Sequence, residues 1–96
     1  MVLVKRLVLD ILKPHLPTAL EFCTKLAEVG DDYAVRLSVI EVDQDTETVE
    51  VTIEGYDLDF EAIQLVITKM SSSLHSVDIV DVRNEKTSIS AGVSNV

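Results

Sequence analysis

Two histidines and a surplus of carboxylates are the side chains of this 96-residue chain best suited to chemistry. Asp10 precedes His15, Asp78 follows His75, and Glu54 and Asp57 lie between the two groups. Imidazoles with several carboxylates form a donor set for a divalent cation: hard oxygens suit Ca²⁺ or Mg²⁺, and imidazole admits Zn²⁺. Asp10, His15, His75 and Asp78 are the candidate metal ligands, with Ca²⁺ the first ion expected. A second string, Asp43, Asp45, Glu47 and Glu54, matches positions one, three, five and twelve of an EF-hand loop, but Thr48 stands where glycine makes the bend. It implies weak cation binding at a hairpin tip and no more. With 17 acidic residues against 8 basic and a net charge of -9, chance clustering of solvated carboxylates is the plainer reading of both groups.

The elements that must position these residues follow from apolar periodicity. From Val2 to Leu12, Leu7, Leu9 and Ile11 share one phase and Arg6, Val8 and Asp10 the other, as in a strand, which Lys13-Pro14 ends. Pro17 suits a first helical position, and Leu16, Leu20, Cys23 and Ala27, with Ala19 and Leu26, form an apolar stripe that stops at Gly30. A second strand spans Tyr33 to Asp43, where a phase change near Val39 predicts a bulge. Gln44 to Glu47 is a polar turn, and Val49, Val51 and Ile53 alternate as a third strand. Asp59 can cap a second helix carrying Phe60, Ile63, Val66, Ile67 and Met70, with Leu58 and Ile63 as a staple. Leu74 to Val82 is a fourth strand with Val77 and Ile79 in one phase, Val80 and Val82 in the other.

The order βαββαβ predicts an α+β, ferredoxin-like sandwich: a four-stranded antiparallel sheet of order 4-1-3-2 with both helices on one face. One domain over 1–83 and a flexible C-terminal tail over 84–96 are expected. With strands one and three taken as parallel, the ends of both and the start of strand four share one rim. That rim would gather Asp10, His15, Glu54, Asp57, His75 and Asp78. The open face would carry Arg6, Val8, Asp10, Glu50, Thr52, Glu54, Ser76, Asp78, Val80 and Val82. Its valines, together with Ile40, are too apolar for a solvated surface and too few for a second core, so a homo-oligomer is expected.

Several functions lose their basis. The acidic field repels phosphate backbones, and strands one and three carry no aromatic ring for stacking bases, so no nucleic-acid partner is expected. The loop Lys13-Pro14-His15-Leu16-Pro17 offers no Cys-x-x-Cys for a soft metal, and Cys23 is alone. No glycine-rich loop cradles a phosphate and no paired nucleophile and base stand at readable spacing, so no enzymatic activity is expected. No leader and no apolar run long enough for a bilayer are read, giving no membrane role and a cytoplasmic location.

The segments Val8 to His15, Asp57 to Phe60 and Leu74 to Asp78 resemble an archaeal family of unassigned function, domain-of-unknown-function family two hundred and eleven. The resemblance extends from about Val4 to Val82, and Ile40 to Asp43 with Thr46-Glu47 is similar to that family's middle hairpin. It implies a small cytoplasmic ferredoxin-like protein that associates into rings and takes cations such as calcium, with no activity and no assigned ligand residues. This chain departs from it at Ser71-Ser72-Ser73, where glycines are usual. Composition and resemblance together point to a non-enzymatic oligomeric module binding a divalent cation or small ligand, of which regulation is one use. The alternative is a structural or adaptor subunit that docks a protein partner through its open sheet face or acidic rim.

Overall fold

A computed structural model describes residues 1–86. Its elements follow the order β1 (Val2–Pro14), α1 (Ala19–Ala27), β2 (Ala34–Val42), β3 (Thr46–Glu54), α2 (Phe60–Lys69) and β4 (Ser73–Asn84). The strands form one sheet in the order β2-β3-β1-β4, antiparallel at every junction. The ferredoxin-like α+β fold is thus the one that the apolar periodicity predicts. The part of the expected tail from Thr87 onward lies outside the described residues, while Asn84 closes β4 and the Glu85 N–H donates to the Met1 carbonyl at 2.8 Å.

Odd-numbered residues of β1 from Leu7 to Ile11 face the helices. Leu7, Leu9 and Ile11 pair with Ile53, Val51 and Val49 of β3, and all six are buried with Phe22, Leu26, Leu58, Ile63 and Ile67. Their burial supplies the main driving force for the fold, since apolar area removed from water contributes about 25 cal/mol per Å². The same phase continues to Lys13, which is 0% exposed and faces Glu47 across the sheet. Pro14 is the last residue of β1, where the missing N–H costs least.

Helix α1 differs from the expected stripe. Thr18 caps it, so Pro17 precedes the helix and does not take its first position: the Thr18 hydroxyl accepts from the Glu21 N–H while the Glu21 carboxylate accepts from the Thr18 N–H. Starting there, the buried face is Phe22 and Leu26 with Ala19, Cys23 and Ala27 at its margins, whereas Leu16 and Leu20 are 72% and 78% exposed. Phe22 and Leu26, at i and i+4, share one face of the helix, and the aromatic ring adds more buried area than any residue of the expected stripe. Helix α2 matches its pattern: the Asp59 carboxylate accepts from the Ala62 N–H, and Ile63 and Ile67 are fully buried. Its end is a Schellman turn, with the Ser72 N–H donating to Ile67 O at 3.2 Å and Ser71 N–H to Thr68 O at 3.0 Å. Ser71 takes φ 60°, the left-handed conformation that favours glycine.

The expected β2 bulge falls between Val39 and Glu41. Three irregularities in the β1–β4 ladder were not anticipated: between Val4 and Arg6 on β1, and opposite Val8/Leu9 and Asp10/Ile11 through extra residues Asp78 and His75 on β4. They overturn part of the expected open face. Val80 stands opposite core residue Leu7 and Val82 opposite Val4, which packs on the core, so both belong to the helix side of the sheet. Ile79, opposite Val8, and Asp81, opposite Arg6, take their places on the open face.

The expected rim also needs correction. β1 and β3 are antiparallel, so the end of β3 lies beside the beginning of β1. Glu54 pairs with Arg6, and Asp57 accepts from the Val4 N–H at 3.2 Å, at the opposite end of the sheet from His15. What lies beside the end of β1 is the β2–β3 turn, with Pro14 paired to Thr46, and the start of β4, with Leu12 paired to Ser73.

Candidate functional site

The four candidate ligands divide between two places. Asp10 is half-buried on the open face of β1, opposite Ser76 of β4 and Glu50 of β3. The β4 bulge at His75 brings that imidazole back over β1, with Nδ1 3.9 Å from Asp10 Oδ2. Asp78, the second bulged residue, accepts a 2.7 Å hydrogen bond from the Ser76 hydroxyl. Asp10, His75 and Asp78 therefore belong to one stretch of the β1–β4 ladder, arranged by its two adjacent bulges.

His15 belongs to another assembly. Its Nδ1 lies 3.0 Å from Glu47 Oε2, and its Nε2 lies 3.0 Å from Asp43 O and 2.9 Å from Gln44 O. Every one of these partners is an acceptor, so only the imidazolium can donate from both nitrogens. Hydrogen bonding to Glu47 raises the His15 pKa above its ordinary value, with further help from the Gln44 carbonyl. The same bond lowers the Glu47 pKa, and Lys13 adds to that effect. Lys13 Nζ reaches Glu47 Oε1 at 3.2 Å and Pro14 O at 2.8 Å beneath the Phe22 ring, whose centroid is 6.0 Å away. Lys13 and His15 thus grip both oxygens of one carboxylate, so Glu47, position five of the EF-hand-like string, is already engaged by two nitrogens of the chain. No three His, Cys, Asp or Glu side chains among the described residues converge as a metal-holding group.

The buried Lys13 is the member of this assembly that residue types do not announce. The signal is its phase, two positions beyond Ile11, and its meaning depends on knowing that Glu47 faces it. No helix among the described residues is long and apolar enough to cross a membrane.

Sheet order, two helices on one face and this clasped hairpin define a ferredoxin-like α+β protein. The DUF211 family, described as "Uncharacterized ArCR, COG1888", matches residues 5–87, and the chain belongs to that family. It is also similar to the uncharacterized protein MJ0319 of Methanocaldococcus jannaschii, 44% identical over 77 residues covering 80% of this chain and 79% of the relative. The archaeal resemblance read from three short segments is therefore a family membership along most of the chain.

Proposed function

We propose that the protein is a non-enzymatic, self-associating binding module whose subunits meet through the margins of the sheet. The observation that carries this reading is the apolar character of both edge strands. Val39, Ile40 and Val42 on β2 and Val77, Ile79, Val80 and Val82 on β4 are all exposed, on strands whose outer edges pair with no other strand among the described residues. Isolated edges of this kind invite pairing with another chain. Strand direction is compatible: β2 and β4 run opposite ways, so β4 of a second copy laid against β2 continues the antiparallel alternation. Such a head-to-tail contact closes into a ring when the rotation per subunit permits.

Within this reading a divalent cation, Ca²⁺ first, is held by Asp10 and His75 with Asp78 close by, and a neighbouring subunit supplies the remaining ligands. Sedimentation equilibrium of the full chain tests the assembly, and calorimetry with Ca²⁺, Mg²⁺, Mn²⁺ and Zn²⁺ tests the ion. A monomer at all accessible concentrations overturns self-association and favours the adaptor reading, in which the open face or acidic rim docks a basic protein. Affinity weaker than about 1 mM for every ion, which is roughly 4 kcal/mol, removes the cation.

A further inference from the structure

A groove of about 360 Å³ crosses the open face on the β2 side of the sheet, its Glu50 paired across the ladder with Asp10 of β1. Arg6, Arg36, Ser38, Glu50, Thr52 and Glu54 line it, in cross-strand rows Glu54–Arg6, Arg36–Thr52 and Ser38–Glu50. Two of the chain's three arginines are thus in one groove. Arg6 makes two long ion pairs, to Glu54 Oε2 at 3.8 Å and to Asp81 Oδ2 at 3.7 Å, and neither reaches hydrogen-bond distance. Arg6 Nε is buried and has no hydrogen-bond partner among the described residues, its nearest carboxylate oxygen on Glu54 being 3.8 Å away. Arg36 and Glu50 are exposed and make no ion pair among the described residues, although they are diagonal neighbours on adjacent strands. The buried Nε still lacks a hydrogen bond, since the Glu54 carboxylate stops 3.8 Å short of it, and an added acceptor in the groove would satisfy it.

The geometry points to a binding site for a small zwitterion, a free α-amino acid, with its carboxylate on Arg6 and Arg36 and its ammonium on Glu50. Charge decides the class. A phosphate dianion would meet Glu50, Glu54 and the field of a chain at net charge -9, and a divalent cation would meet two guanidiniums. A ligand carrying one charge of each sign and no net charge meets neither obstacle. Planar guanidinium matches a carboxylate with paired N–H donors, and the Ser38 and Thr52 hydroxyls stand in the same groove to complete its hydrogen bonds. The volume lies near the lower end of the roughly 300–1,000 Å³ typical of small-molecule sites. This inference goes beyond the proposed self-association and requires neither it nor a cation.

The test is an amide-resolved NMR titration of the full-length protein with a panel of free amino acids, their N-acetyl and carboxamide derivatives, and inorganic phosphate. Saturable shifts at Arg36, Glu50 and Thr52 with one or more free amino acids are expected, and both blocked derivatives should bind at least about tenfold more weakly. Arg36→Gln and Glu50→Gln, both at exposed positions, should each weaken binding by a similar factor while leaving the rest of the spectrum unchanged. Absence of saturation below about 10 mM, or equal binding of the N-acetyl derivative or of phosphate, overturns the proposal. Undiminished affinity in both variants overturns it as well. Sedimentation and cation calorimetry report on the other reading separately, so either can fail alone.

Discussion

At the scale of single residues, the clasp at the end of β1 sets a pH window. The folded state raises the His15 pKa and lowers that of Glu47 through their shared bond. The histidine's contribution to stability is complete below its unfolded value of about 6.5 and is lost as pH rises through the higher folded value. The glutamate's contribution is complete above its unfolded value of about 4.3 and is lost as pH falls through the lower folded one. The urea midpoint of His15→Gln should therefore fall below that of the parent at about pH 5.5 and approach it at about pH 8.5. Lys13→Ala should cost about 3 kcal/mol in the same assay, because it leaves a cavity and strips the Glu47 carboxylate of a buried partner. Residue types alone led to His15, but not to its role. Its acceptors are backbone carbonyls and a carboxylate brought in by antiparallel register, which no local spacing encodes.

At the scale of elements, helix ends offer the cleanest substitutions. Asp59→Ala removes the acceptor for the Ala62 N–H and should lower stability by about 1 kcal/mol by thermal or urea unfolding. Ser71→Gly should act in the opposite direction. Serine occupies the left-handed position of the α2 Schellman turn, and glycine there relieves backbone strain by about 1 kcal/mol, partly offset by its greater freedom when unfolded. The run Ser71-Ser72-Ser73 reads in the sequence against a tight turn, yet the turn forms with Ser71 in its strained place. Strand β3 and helix α2 were legible because one apolar phase dominates each. Helix α1 was legible as a helix but not in its facing, since Thr18 and Glu21 make a capping box that moves the start beyond Pro17. Strand β4 was illegible in phase because valine and isoleucine occupy both faces. Inserting Asp78 and His75 then switches the faces without leaving a compositional trace.

At the scale of the whole molecule, apolar periodicity and element order were enough to specify strand order and helix placement. Which loops share an end was not, because it depends on counting strand reversals across the sheet: three lie between β2 and β4, and one between β1 and β3. Taking β1 and β3 as parallel puts Glu54 and Asp57 at the wrong pole and keeps the β2–β3 turn away from His15, whereas the antiparallel pairing does the reverse. The two sheet margins carry the remaining prediction. Val80→Lys and Ile40→Lys alter side chains that are 54% and 62% exposed, so each should leave the unfolding midpoint nearly unchanged, within about 0.5 kcal/mol. Each should also shift the sedimentation mass toward that of the monomer.

Lys13 also gives the fold a built-in chemical clock. An amine-directed reagent can reach Lys25 and Lys69 on the helices at once, whereas the Lys13 amine lies sealed under Phe22 until the end of β1 parts from the hairpin. The rate at which mass spectrometry finds Lys13 acylated, relative to those two lysines, therefore measures how often that corner opens.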